Sequence, residues 1–284
     1  MTAEDGFFYR LTVDDASIPV IARGSDRVGV TVSRTLDLDV AANEAATRYR
    51  PSAILPHEHW QPIDGWTTCT GQELQCGKLF VGVLPGPFQR GGLEAIAQEV
   101  RDSIESAISS GIPPVFSDQV REAEAQLLLW ASAIDPRREI IPVGFNMNCG
   151  GRRSLTADQK GFHLGLHLDS WDGPSFAGRE ARTNRVSLNF GPGTRHFYFM
   201  LVPVWSMRKA LNSPGELDVS AIINSYMRLP IDHHVFRLTV PPGAVYVAPT
   251  ECLVHDASTL NSDKFCVTYT IRGHFPFSFR YWQQ

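Results

Sequence analysis

The chain has 284 residues, of which 43% are hydrophobic and 20% charged, a globular composition that excludes collagen-like, coiled-coil and wholly disordered chains. The formal net charge of -4 and the absence of a long Lys or Arg run in the sequence disfavour a nucleic-acid partner. No sequence window approaches the roughly 18 apolar residues of a membrane span, and the acidic start is unlike a signal peptide, so we expect a cytoplasmic protein with no membrane partner.

Short β-rich runs are predicted at residues 28–32 and 78–84, two helices are predicted after them, and most of the strands are predicted in the second half of the chain. Apolar residues recur every three or four positions over residues 93–109 and 117–134, and Ser117 suits the start of the second helix. Residues 207–227 are expected to be helical or a loop over an open end of the β structure. Short β-rich segments separated by Gly, Pro and Asn follow residue 138: 140–147, 161–169, 185–190, 196–204, 235–240, 244–248 and 265–271.

Closely spaced strands with turn signals favour a sandwich or barrel over alternating strands and helices. We therefore predict a mainly β fold with supporting helices, in a single domain over residues 1–284. Residues 1–138 are expected to form a mixed N-terminal part with two supporting helices, and residues 139–284 to supply most of the β core. Five cysteines without a CxxC pair disfavour a disulfide framework.

The segment of residues 161–171, GFHLGLHLDSW, carries the clearest chemical pattern. If it is extended, His163, His167 and Asp169 share one face, and apolar side chains share the other. A buried imidazole beside a buried carboxylate needs a partner, and a divalent cation satisfies both. His255, between the last two predicted strands, is the candidate for a second imidazole. Two histidines and one carboxylate form a ligand set that leaves open positions on Fe(II).

This order of residues resembles the Fe(II)- and 2-oxoglutarate-dependent oxygenases, a family built on a double-stranded β-helix with a jelly-roll or cupin-like core. The resemblance covers roughly the second half of the chain. It implies His167, Asp169 and His255 as the catalytic iron ligands. It also implies Arg272, with Thr270 on the same strand face, as the group that binds the distal carboxylate of 2-oxoglutarate. Halogenating members of the family lack the carboxylate ligand, so Asp169 implies oxygenation, desaturation or ring formation.

A further predicted strand, residues 185–190, adds two candidates for binding the cosubstrate or substrate. Alternation places Arg185 and Asn189 on one polar face of this strand and apolar residues on the other. A solvent-facing strand side is the alternative interpretation of the same pattern.

Other histidines leave alternatives open. His163 and His167 could bind zinc together if they lay on a helix, but the glycines of this segment disfavour a helix. His163 is expected to be a pocket or structural residue. His57 and His59 lie between prolines and are expected in an exposed loop, although an HxH pair can bind metal in a cupin barrel.

The resemblance implies an oxidoreductase, a non-haem iron dioxygenase that uses dioxygen and 2-oxoglutarate to modify a small organic molecule such as an amino acid or another metabolite. Aromatic residues of the 60–66 segment, Trp171 and Phe176 are candidates to line the substrate pocket. Two alternatives stay open: a cupin-like metalloenzyme that does not use 2-oxoglutarate, and a metal-free ligand-binding barrel.

Overall fold

The computed structural model describes residues 8–10, 19–22, 30–43, 47–62, 67–68, 81–85, 88, 92–135, 137–171, 173, 176, 178–179, 182–212 and 218–275. Its helices are α1 (Val40–Asn43), α2 (Leu93–Ser110), α3 (Asp118–Ile134), α4 (Val204–Ala210) and α5 (Val219–Met227). None of the helices in these ranges is long and apolar enough to cross a membrane.

The strands of these ranges are, in chain order, β1 (Phe8–Arg10), β2 (Pro19–Ala22), β3 (Val30–Ser33), β4 (Leu36–Asp37), β5 (Tyr49–Pro56), β6 (Gln61–Pro62), β7 (Thr67–Thr68), β8 (Val81–Pro85), β9 (Ile141–Asn148), β10 (His163–Gly165), β11 (Asn184–Pro192), β12 (Arg195–Pro203), β13 (Val235–Val240), β14 (Ala244–Ala248), β15 (Leu253–Ser258) and β16 (Cys266–Gly273).

Two facing sheets form the core of the described part of the chain. The major sheet has eight strands in the order β7-β1-β2-β8-β14-β11-β16-β9, and the minor sheet has five in the order β15-β12-β13-β3-β6. From β11 to β16 the chain passes repeatedly between the two sheets. Tyr246 of the major sheet stacks on Phe197 of the minor sheet, with ring centroids 4.5 Å apart. This arrangement is a double-stranded β-helix, and the predicted mainly β fold with supporting helices is confirmed.

Strand β11 shows how the sequence divides the major sheet into two faces, because side chains alternate along a strand. Its apolar side chains lie in one buried cluster with Leu93 and Ile96 of helix α2, and they are Val186, Leu188 and Phe190. Its polar side chains belong to the opposite face, which looks into the space between the sheets, and they are Arg185, Ser187 and Asn189. The interior of the double-stranded β-helix is therefore polar along this strand.

Helices α2 and α3 support the outer face of the major sheet. Both predicted helices are confirmed to within one residue at each end, and the Ser117 side chain accepts a hydrogen bond from the Val120 backbone N–H, as a helix cap does. The Tyr269 hydroxyl donates a hydrogen bond to Glu124 of α3, which ties this helix to β16.

Helices α4 and α5 correct one expectation. Residues 207–227 were expected over an open end of the β structure, but Met207 and Ile222 lie in one buried cluster with Tyr198 and Met200 of β12. This cluster covers the outer face of the minor sheet. The apolar side chains on that face require a cover, and the two helices provide it.

The 161–169 segment is also not the single strand that was predicted. Only β10 is regular, and its register against β5 shifts between His163 and Gly165. Gly165 adopts a left-handed φ of 69°, and a Cβ at this position would lie 2.5 Å from the Ile54 carbonyl oxygen. A bulge at Gly165 therefore interrupts the alternation, and His167 continues as an isolated bridge to His255.

Strands from the first 90 residues join both sheets, since β2 and β8 belong to the major sheet and β3 and β6 to the minor sheet. The single-domain organisation of residues 1–284 stays a prediction. Cys149, Cys252 and Cys266 are free thiols, whereas Cys69 and Cys76 lie outside the described residues.

The bulge at Gly165 gives a stability prediction with a matched control. We expect Gly161→Ala, which has a φ of 78° but no atom near the new Cβ, to cost about 1–2 kcal/mol. Gly165→Ala adds the contact with Ile54 and should cost about 3 kcal/mol or more. Urea unfolding of both variants measures the difference, and equal costs would contradict the close approach at Gly165.

Candidate metal centre

The three predicted metal ligands meet at one end of the interior. His255 lies on β15, where it pairs with Phe199 of β12. The backbone N–H of His167 donates to the carbonyl of His255 at 2.9 Å, and the N–H of His255 donates to the carbonyl of His167 at 2.8 Å. The N–H of Asp169 donates to the Thr250 carbonyl at 3.1 Å. Backbone hydrogen bonds therefore join the HxD segment to the segment that carries the second histidine.

The side chains of this triad converge as closely as their backbones. One potential ligand atom from each of His167, Asp169 and His255 lies within 4.8 Å of the other two. Nε2 of His167 is 3.9 Å from Asp169 Oδ1, and Nε2 of His255 is 3.7 Å from Asp169 Oδ2. His255 is 1% exposed and Asp169 8% exposed, so the donor atoms are held away from bulk water.

Both imidazoles are oriented through their second nitrogen. Nδ1 of His167 lies 2.7 Å from the Gly165 carbonyl, and Nδ1 of His255 lies 3.1 Å from the Leu253 carbonyl. A carbonyl can only accept, so each Nδ1 carries the proton and each Nε2 presents a lone pair. Both Nε2 atoms are buried and make no hydrogen bond to the described residues. Two buried lone pairs beside a carboxylate fit a divalent cation between them.

The charge states of His255 and Asp169 suit metal binding. Burial lowers the pKa of His255 to about 3, because desolvation disfavours the imidazolium more strongly than Asp169 favours it. Burial alone would raise the pKa of Asp169, but Arg185 and the two histidines outweigh it and hold this pKa well below its ordinary value. At neutral pH, His255 is therefore neutral and Asp169 is ionised.

Arg185 lies next to this triad. Its Nη2 atom is 2.9 Å from Asp169 Oδ2, while its buried Nε makes no hydrogen bond to the described residues. It is also the register partner of Arg272 across β11 and β16. The interior therefore brings two guanidinium groups to the end that holds the triad.

Arg272 and Thr270 share one face of β16, as predicted, and this face looks into the interior. The Nε and Nη2 atoms of Arg272 donate to the Thr183 hydroxyl at 3.1 and 2.7 Å. The hydroxyls of Thr270 and Ser187 share one hydrogen bond of 2.7 Å. The ring of Trp171, which is 46% exposed, lies 5.4 Å from the guanidinium carbon of Arg272 and 5.8 Å from that of Arg185. Trp171 thus covers both arginines from the solvent side.

Asn189 is on the predicted face but at the other end of the interior. It is four residues along β11 from Arg185, a distance of about 13 Å in a strand. Its Nδ2 donates to the Gly193 and Val240 carbonyls, and its Oδ1 accepts from the Gly191 N–H and the Cys266 thiol. These bonds stabilise a turn, and a cosubstrate contact by Asn189 stays a prediction.

Other candidates from the sequence lie apart from the triad. His163 packs beside Tyr49 on the β5 side, and His57 and His59 are exposed and stack on each other. Trp60 stacks on Tyr198 at the outer face of the minor sheet. Phe176 packs under Arg208 of α4, and Trp66 lies outside the described residues.

Sequence reasoning missed two polar residues beside the predicted ones. Tyr246 lies opposite Ser187 in the register of β14 and β11, and its hydroxyl is buried. This hydroxyl is close enough to Arg185 to favour its charged form, yet it makes no hydrogen bond of good geometry to any residue that the structure describes. Thr183 holds Arg272. Alternation along residues 244–248 offered a signal for Tyr246, but nothing local marked Thr183.

Neither a family model nor a curated protein matches the chain. Among solved structures, the Kdo hydroxylase KdoO, a non-heme Fe(II) alpha-ketoglutarate dependent dioxygenase in complex with cobalt(II), is 15% identical over 71% of this chain and 84% of its own, with a TM-score of 0.38. HygX from Streptomyces hygroscopicus with iron bound is 14% identical over 74% of this chain and 88% of its own, with a TM-score of 0.35. At such low TM-scores, these similarities do not identify a reaction for this chain.

Removal of any one of the three donors should abolish tight metal binding. We expect His167→Ala, Asp169→Ala and His255→Ala each to weaken Co(II) binding by at least about 100-fold, because the loss of a ligand exceeds the usual effect of an outer contact. His163→Ala is the matched control and should bind Co(II) as the native chain does. Calorimetric titration checks this, and a loss in His163→Ala with retention in His255→Ala would favour an HxxxH site instead.

Proposed function

We propose that the chain is a non-haem Fe(II)- and 2-oxoglutarate-dependent oxygenase that acts on a small organic molecule. The observation that carries this proposal is the convergence of two imidazole Nε2 atoms and one carboxylate, all buried, with both Nε2 atoms lacking any hydrogen bond to the described residues. A purely structural triad would be expected to satisfy these atoms within the protein.

The donor set favours iron. Two imidazoles and one carboxylate on one side of a cation leave further coordination positions open, which is the arrangement of Fe(II) oxygenases. A structural zinc site would close its coordination with a fourth protein ligand. Among the described residues, His167, Asp169 and His255 form the one such cluster.

The two arginines support a dicarboxylate as the cosubstrate. Arg272 projects from the inner face of β16 and is buried under Trp171, and the guanidinium fork suits a carboxylate. We assign Arg272 to the distal carboxylate of 2-oxoglutarate, with Thr270 beside it. Arg185, next to Asp169, is assigned to the end of the cosubstrate that faces the metal.

Bound Fe(II), with 2-oxoglutarate and dioxygen, would supply the oxidation of a substrate C–H bond, giving hydroxylation, desaturation or ring formation. The chain itself orients the donors through the Nδ1 bonds of His167 and His255. The buried position of the triad excludes bulk water from the reacting centre. Trp171 shields Arg272 and Arg185, the two arginines assigned to the cosubstrate. The proposed substrate class is a small metabolite or amino acid.

Anaerobic titration with Fe(II) and then 2-oxoglutarate tests the proposal. We expect a weak visible charge-transfer band when the cosubstrate chelates the metal, and loss of the band in His255→Ala. When oxygen is then admitted, we expect the protein to consume 2-oxoglutarate. Iron binding without the band or this consumption would favour a cupin-like metalloenzyme, and no metal binding would favour a ligand-binding barrel.

The cosubstrate assignment makes a separate prediction for Arg272. Because a hydrogen-bonded charge pair contributes about 1.5–3 kcal/mol, Arg272→Ala should raise the Kd for 2-oxoglutarate by roughly 10- to 100-fold. The control is Arg195→Met: Arg195 is buried beside Cys266, at the end of the interior that holds Asn189, so its loss should leave that Kd unchanged. If only Arg195→Met weakened 2-oxoglutarate binding, Arg195 would be the residue that binds the distal carboxylate.

A further inference from the structure

A second charged cluster lies beside the metal centre, and the proposed chemistry does not use it. Arg179 and Glu251 are each 1% exposed, and Nη1 of Arg179 donates to Glu251 Oε2 at 3.0 Å. Nη1 of Arg182 donates to the same Oε2 at 3.1 Å. A carboxylate that binds two arginines so far from solvent is a costly arrangement.

Arg179 also binds the two chain segments that supply the metal ligands. Its Nη1 atom donates to the backbone carbonyl of Asp169 and to that of Glu251, both at 2.9 Å. Glu251 is in the turn that precedes β15 and His255, and the neighbouring Thr250 carbonyl accepts from the Asp169 N–H at 3.1 Å. The peptide groups on both sides of Asp169 are therefore fixed to this turn, one through Thr250 and one through Arg179.

The cost of this burial argues for a role beyond stability. Desolvation lowers the pKa of Arg179, which reflects the penalty for burying its charge, although Glu251 partly offsets that effect. Buried ion pairs can often be replaced by apolar residues of similar volume without loss of stability. An apolar pair, however, could not donate to the carbonyl of Asp169.

We propose that Arg179 and Glu251 are positioning residues that set the orientation of the Asp169 carboxylate relative to His167 and His255. This inference rests on the proposed metal centre. The guanidinium binds the backbone of Asp169, and Glu251 fixes the guanidinium. The Glu251 carboxylate also binds Arg182, whose Nη1 donates to the Gly173 carbonyl at 2.6 Å. Gly173 lies in the segment that follows Trp171.

The test compares Co(II) binding, visible absorption of the Co(II) complex and thermal unfolding of the metal-free protein. The double variant Arg179→Met/Glu251→Leu removes both charges while keeping a similar volume. We expect it to unfold within a few degrees of the native chain, to bind Co(II) about 10- to 100-fold more weakly and to show altered ligand-field bands. Arg195→Met, which removes another buried arginine, should keep the native affinity and spectrum.

Retention of native Co(II) affinity and spectrum in the folded double variant would overturn the inference. If the double variant does not fold, Arg179→Lys decides by the same readouts, since it keeps the charge but loses the guanidinium fork. Weakened binding with altered bands in Arg179→Lys supports the positioning role, and unchanged binding overturns it. A native chain that binds no Co(II), or whose binding survives His255→Ala, would instead contradict the proposed metal centre itself.

Discussion

The candidate centre depends on the pair of backbone hydrogen bonds between His167 and His255. These bonds, 2.9 and 2.8 Å long, attach the HxD segment to the edge of the minor sheet. On the other side of His255, the register of β15 with β12 places its ring toward the interior, where it stacks near Phe197. Two residues 88 positions apart in sequence are thereby fixed as neighbours by backbone hydrogen bonds.

The centre is also an electrostatic arrangement that the two sheets hold in place. Asp169 stays ionised although it is buried, because Arg185 and the histidines compensate for lost hydration. Arg185 can reach this carboxylate because it lies at the start of β11, on the inward face and beside the triad. An interior that is charged and shielded from water is compatible with the proposed binding of a cation and a dicarboxylate.

Local patterns in the sequence predicted the parts of the fold that local forces determine. The periodicity of α2 and the Ser117 cap are such signals, and both helices were predicted well. Strand β15 was missed because His255 and Asp256 interrupt an apolar run, and only burial between neighbours makes this segment a strand. The bulge at Gly165 was missed because it depends on the close approach of Ile54.

The candidate metal centre shows the same contrast between features that local sequence determines and features that depend on contacts between distant segments. Residue types and order were enough to select His167, Asp169 and His255 as candidates, and alternation put Arg185 and Asn189 on one polar face of a strand, without showing that this face looks into the interior. Alternation gives the face of a strand but not the position along the barrel, so it could not separate Arg185 from Asn189.

Anomalous diffraction at the iron edge, from crystals loaded anaerobically with Fe(II), would locate the metal relative to the triad. We expect one strong anomalous peak within bonding distance of His167 Nε2, His255 Nε2 and the Asp169 carboxylate, with Arg185 still nearby. A peak at another cluster, or none at this triad in fully loaded crystals, would contradict the proposed metal centre.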